Sequence, residues 1–182
     1  MAPPEPVTPV KLLIAILWSS GESLERALIG IQQQWGEIDF HGSDIPFQLT
    51  DYYEAEMGRN LQRRLITCHP LVPPESIRPF KLAGNQLEDE LADSRGRTVN
   101  LDIGYLDHNK LVLASCKYAG QKIHLGDGIY ADLIARYQAG RYQPFDWTFP
   151  DFKDGRYDSD LQVIRQRYLQ QLRSLRTTDN SF

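Results

Sequence analysis

The run Lys11-Leu-Leu-Ile-Ala-Ile-Leu-Trp18 constrains this chain more than any other stretch, because it is apolar without interruption from Leu12 to Trp18. A strand with one face in water alternates polar and apolar residues; an unbroken run must be covered on both faces. It is far shorter than the roughly 20 residues a spanning helix needs, and no small-residue cleavage pattern follows it. The run therefore predicts a central strand. A flexible Pro-rich lead-in is expected over residues 1–9, a single domain over 10–176 and a disordered tail over 177–182. With 41% hydrophobic and 24% charged residues, the chain has the composition of an ordinary globular protein.

The pattern after that strand alternates in type. "GESLERALIGIQQQWG" places Leu24, Leu28, Ile31 and Trp35 on one helical stripe, with Ser19 and Glu22 suited to a capping box and Gly36 to the exit. "DIPFQLT" and "LQRRLITC" read as extended, and "ESIRPFKLAGNQLEDELA" reads as a helix that tolerates Pro79 in its first turn. "TVNLDIGYL" alternates as a strand. The order through Tyr105 is that of an α+β, ferredoxin-like βαββαβ core. "KLVLASCK", "QKIHL", "GIYADLIARY" and "RYQPFDW", separated by turn residues, extend it as a C-terminal antiparallel β-meander whose strand order stays open. A final helix, with Leu161, Ile164, Tyr168, Leu172 and Leu175 on its apolar stripe, closes the chain, and its Arg- and Gln-rich face is expected in solvent. The aromatics of "QPFDWTFPDF" are expected to strap across the sheet and fill the core.

Charge narrows the partners. Twenty Lys and Arg against 24 Asp and Glu, a formal charge of -4, give no global attraction to nucleic acid or to anionic membranes. Neither is an expected partner. Two cysteines, Cys68 and Cys116, without C-x-x-C spacing fit reduced thiols and a cytoplasmic location. The sequence leaves the oligomeric state open.

No phosphate loop, dinucleotide fingerprint, H-E-x-x-H helix, paired C-x-x-C or nucleophile elbow occurs. What remains is a set of polar residues in unexpected places. "TDYYEAEMG" crowds Asp51, Glu54 and Glu56 beside Tyr52 and Tyr53; a capped helical turn accounts for one or two of these acids, and a ligand or metal loop for all of them. Asn100 and Asp102 share a strand face opposite Val99, Leu101 and Ile103. If that face is open to water they are merely the polar side of an amphipathic strand; if it is covered, Asp102 needs a partner. These residues divide into three groups. Asp102, Lys117 and His124 have the chemistry of acid/base and anion-binding groups. Tyr53, Arg63, Asn100, Tyr105 and Tyr130 would shape a pocket, with Arg63 receiving an anion together with Lys117 and His124. Asp51, Glu54, Glu56 and Asp132 would hold a divalent metal, the cofactor this set of acids suits.

The stretches "KLLIAILW", "WGEIDF", "PFQLTDYYEAEMG", "VNLDIGYL", "KLVLASCK", "HLGDGIYADL" and "FDWTFPDF" together resemble the prokaryotic domain of unknown function four-four-one-six. The resemblance covers most of the chain from Lys11 to Phe152 and brings no established activity. Members of that family sometimes carry a GTP-binding label, but "HNKL" around Asn109 and Lys110 lacks the aspartate of a guanine-reading motif, and the phosphate loop is missing. Two functions of different class follow from the residues. One is a small-ligand site for a phosphorylated or otherwise anionic metabolite, open to metal assistance and catalysis. The other is a non-enzymatic interaction module that presents a Tyr-rich sheet face to a protein or RNA partner.

Overall fold

The computed structural model describes residues 3–49 and 52–179. Its elements run β1 (Val10–Trp18), α1 (Gly21–Trp35), β2 (Ile38–His41), β3 (Ile45–Pro46), α2 (Glu54–Met57), β4 (Gln62–Val72), α3 (Ile77–Leu91), β5 (Val99–Leu106), β6 (Lys110–Ser115), β7 (Ile123–Gly126), β8 (Ile129–Gln138), β9 (Arg141–Pro144), α4 (Pro150–Lys153) and α5 (Asp158–Asp179). The chain is α+β, with one large antiparallel sheet in the order β2-β4-β1-β5-β6-β8-β7. β3 adds to β4 and β9 adds to β8.

The apolar run lies at the heart of this sheet. β1 pairs with β4 on one side and β5 on the other, and helices cover both faces. Leu12, Ile14 and Ile16 pack with Leu24, Ala27 and Ile31 of α1 and with Leu91 of α3. Leu13 and Ala15 face the opposite layer, where Tyr157, Leu161, Ile164, Tyr168 and Leu172 bring α5 onto the sheet. Full burial of each such side chain stabilises the fold by about 1.5–3 kcal/mol, so β1 organises both layers of the core. Lys11 is the polar exception. Its ammonium is completely buried and is satisfied by Asp39 of β2 and by Gln171 Oε1 of α5 at 2.8 Å.

Local chemistry accounts for the departures from the sequence pattern. The strand expected in "DIPFQLT" shrinks to Ile45–Pro46, because Pro46 has no N–H with which to continue a ladder. Phe47 is nevertheless buried against Leu17, Met57 and Leu61, while Leu49 is exposed. The edge position beside β4 belongs instead to Ile38–His41, which the alternation did not reveal. α1 is capped by Ser20, whose hydroxyl accepts the Ser23 N–H at 3.1 Å, one residue later than expected. In the C-terminal half β8 sits directly beside β6, and β7 and β9 pair with opposite ends of β8, so the strands are antiparallel but not in meander order. Of the Phe145–Phe152 aromatics only Phe152 enters the core. Trp147 is 46% exposed and stacks on Phe145 at a centroid distance of 4.7 Å. α5 continues to Asp179, past the expected start of the tail.

At Gly104 the backbone of β5 passes close to β6. A Cβ there would lie 2.3 Å from the Val112 carbonyl oxygen and 2.5 Å from a Leu113 methyl, and the first of these is backbone that cannot swing aside. Gly104→Ala should therefore lower stability by about 1–3 kcal/mol, the usual cost of overpacking. Gly120→Ala, where nothing lies within 4 Å, should be nearly neutral. Urea unfolding midpoints of the two variants would check this, and equal midpoints would contradict the close approach.

Candidate functional site

Beyond Gly104 the sheet opens. β5 pairs with β6 only from Gly104 to Leu106, while Ala114 and Ser115 of β6 pair with β8 alone. At Leu101, a buried rung of β5 that β6 does not pair, side chains of α3 replace the missing strand. Glu88 Oε1 accepts the Leu101 N–H at 2.7 Å, and Lys81 Nζ donates to the Leu101 carbonyl at 2.9 Å. A buried backbone group without a partner would cost about 1–3 kcal/mol, which explains two charged residues on the buried stripe of a helix. The gap is a cleft of about 240 Å³. Lys81, Asn85 and Glu88 of α3 line it, together with Asn100 and Asp102 of β5, Leu113–Ser115 of β6, Asp132 of β8, the Cys116, Lys117 and Lys122 side chains, and Tyr52, Tyr53, Arg97 and Phe149.

Charge in this cleft is held in pairs. Arg63 of β4 is 4% exposed and bridges two elements: Nη2 donates to Asp102 Oδ2 at 2.9 Å and Nη1 donates to Asp151 Oδ2 at 2.7 Å. Burial alone would lower the pKa of Arg63, but Asp102 and Asp151 outweigh it and hold the value above the ordinary one. The guanidinium also lies 4.6 Å from the Phe47 ring centroid. Asn100 Nδ2 donates to Asp102 Oδ1 at 3.2 Å, and Arg97 Nη1 donates to Asn100 Oδ1 at 3.2 Å. Arg97 is held in turn by Glu56 at 2.7 Å and by Glu88 at 3.5 Å. On the far wall Lys122 pairs with Asp132 Oδ2 at 3.2 Å and donates to Ser115 Oγ at 2.9 Å. Tyr53 stays a neutral phenol, its pKa pushed up to about 12 by burial and by the nearby Asp102 charge.

The structure thus gathers Tyr53, Asn100, Asp102, Lys117 and Asp132 around one opening. It places the other expected site residues elsewhere or in other roles. Arg63 reaches the same network, but both Nη groups are spent on carboxylates, so it fixes Asp102 rather than receiving an anion. His124 is exposed on β7 with its ring 5.0 Å from that of Tyr130, and neither lines the cleft. Tyr105 packs beside Ile77, Val112 and Ile129. Glu54 pairs with exposed Arg59 at 3.4 Å, and Glu56 is engaged by Arg97. Asp51 lies outside the described residues. Among the described residues no three His, Cys, Asp or Glu side chains are grouped to hold a metal ion.

Lys81, Glu88, Arg97 and Lys122 were missed by the sequence reading. A signal existed for the first two: Ile77, Lys81, Gly84, Glu88 and Leu91 are buried on one side of α3, so opposite charges interrupt a stripe that begins and ends apolar. A larger depression of about 620 Å³ lies between Pro9, His69–Leu71 and the last turns of α5. The cleft is the better site, because its buried charges surround the space.

The chain belongs to the family described as Domain of unknown function (DUF4416), whose model matches residues 8–168. No curated protein and no solved structure matches the chain. No described helix is long and apolar enough to cross a membrane.

Burial raises the pKa of Glu88 against the opposing pull of Lys81 and the Leu101 N–H. A carboxyl whose folded value exceeds its ordinary 4.5 keeps, in the folded state, a proton that the unfolded chain releases. Stability from this group is therefore greatest below 4.5 and falls as pH rises through the folded value. Glu88→Gln keeps an acceptor for Leu101 and removes the ionisation. Its urea midpoint should gain on that of the wild type as pH is raised from about 4 to about 7. Parallel profiles would show that Glu88 ionises without cost.

Proposed function

We propose that the cleft between β5 and β6 binds a small anionic metabolite, with Lys117 attracting the anion and Asp102, Asn100 and Tyr53 supplying polar contacts. The observation that carries this reading is the concentration of buried, opposed charges around an open space. The side chains of Lys81, Glu88, Lys122 and Asp132 are all more than nine-tenths buried, and all line the same cleft. Buried ion pairs are a costly way to stabilise a fold, since apolar replacements of similar volume are often as good or better. A binding site is the context in which fixed, partly satisfied charges are useful. Asp102, fixed by Arg63 and Asn100, is the acid/base group we assign to the cleft, and this is where catalysis would reside.

The antiparallel order β2-β4-β1-β5, with α1 and α3 on one face, supports reading the first half of the chain as ferredoxin-like. Free Cys68 and Cys116 support a cytoplasmic location. Thermal unfolding against a panel of phosphorylated and carboxylated metabolites tests the main reading, because a ligand at a hundredfold excess over its Kd stabilises by about 2.7 kcal/mol. A shift with a member of the panel that shrinks in Lys117→Gln and in Asp102→Asn is expected. A panel without effect on the wild type would remove the site.

A second reading rests on a different place. Tyr118 and Ile123 are 74% and 69% exposed, and the Tyr118 and His124 rings each contact that of Tyr130 beside the short edge strand β7. Exposed aromatics of this kind suit an interface with a protein or RNA partner. On this reading Tyr118→Ala and Tyr130→Ala should each remove a captured partner without changing the melting temperature. Retention of every partner by both variants would discard it.

A further inference from the structure

The cleft contains a carboxylate that the protein itself does not complete. Asp132 is 3% exposed on β8, level with Leu113 of β6, and forms part of the cleft wall. Its Oδ2 faces the Lys122 ammonium at 3.2 Å, but its Oδ1 is buried and accepts no hydrogen bond from any described residue. Asp102, on the same side of the sheet, has both oxygens occupied by Asn100 and Arg63. A buried carboxylate oxygen without a donor is costly, and donors to it are worth more than those between neutral groups. The opposite requirement exists near the mouth, where Nζ of the exposed Lys117 lies 4.2 Å from the centre of the Tyr52 ring.

Resting on the proposed anion site, we infer that its ligand is bifunctional: a small phosphorylated or carboxylated metabolite that also carries a hydroxyl or amino group, which donates to Asp132 Oδ1. Lys117 receives the anionic end. Lys122 holds Asp132 in place from its other oxygen, so the acceptor is fixed before the ligand arrives. The cleft volume of about 240 Å³ admits a metabolite of a few carbons. Discrimination comes from the polar end, because a site built to accept a hydrogen bond rejects analogues without the donor far better than an apolar pocket rejects a missing methylene.

The test compares phosphate esters that share the anion and differ in donors. Inorganic phosphate and methyl phosphate form the donor-free set; glycerol 3-phosphate, ribose 5-phosphate and glucosamine 6-phosphate form the donor-bearing set. Each is titrated calorimetrically into the wild type, Asp132→Asn and Lys117→Gln. At least one donor-bearing ester should bind the wild type about tenfold or more tightly than methyl phosphate, as expected for a hydrogen bond to a charged group. That preference, measured against methyl phosphate in the same variant, should fall sharply in Asp132→Asn, and Lys117→Gln should weaken both sets alike. Equal binding of the two sets to the wild type, or a preference that survives in Asp132→Asn, overturns the role of Asp132 and leaves the anion site standing. Failure of every ester to bind the wild type overturns the anion site, and the inference with it. Should Asp132→Asn not fold, the wild-type comparison of the two sets decides alone.

Discussion

Backbone hydrogen bonding is the constraint on which the rest of this structure turns. A strand inside a sheet must satisfy the N–H and C=O groups on both of its edges, and β5 does so with β1 along its whole length but with β6 only from Gly104 to Leu106. At Leu101 the partners are Glu88 and Lys81, so α3 completes a ladder that a neighbouring strand would normally complete. Because the substitutes are side chains, the two strands can part without orphaning backbone groups, and the parting creates the cleft. The close packing at Gly104 sets where the opening begins, since only a residue without a Cβ lets β6 approach there before the strands diverge.

Once the sheet is open, electrostatics determine its contents. Each buried charge near the gap has a counter-charge: Arg63 with Asp102 and Asp151, Arg97 with Glu56 and Glu88, Lys122 with Asp132. Tyr157 donates its hydroxyl to Asp151 at 3.2 Å, which ties this network to the first turn of α5. The site is thus braced from the layer that β1 organises. A side chain fixed by two partners has little freedom to lose when a ligand binds, and this is the physical advantage of placing binding groups on strands rather than on a free loop.

Residues that occur as regular patterns could be read in advance, and residues placed by long-range contact could not. The unbroken apolar run of β1 announces burial on both faces whatever surrounds it, and the helical stripes of α1, α3 and α5 follow from a period set by the helix itself. Asn100 and Asp102 were visible for the same reason, since alternation alone puts them on one face of β5. Lys122 gave no such sign. It sits in the turn before β7, and what matters about it is an ion pair to a residue on β8. Pro46 shows the converse, for a local rule that was present in the sequence was outweighed by the apparent alternation of Ile45, Phe47 and Leu49.

The sequence by itself determined the alternation of strands and helices, the central place of Lys11–Trp18, and a short roster of polar residues with no obvious structural task. These depend on residue type and spacing along the chain, which local geometry converts directly into faces. Only the tertiary structure decided which members of that roster meet. It brought Asp102, Lys117 and Asp132 to one cleft, left His124 and Tyr130 at an outer edge, and turned Arg63 from an anion receiver into a brace between two carboxylates. The reason is that strand order and the point at which β5 and β6 separate are properties of pairing between distant segments. Such pairing is settled by the summed burial and hydrogen bonding of the whole sheet, not by any stretch of residues within it.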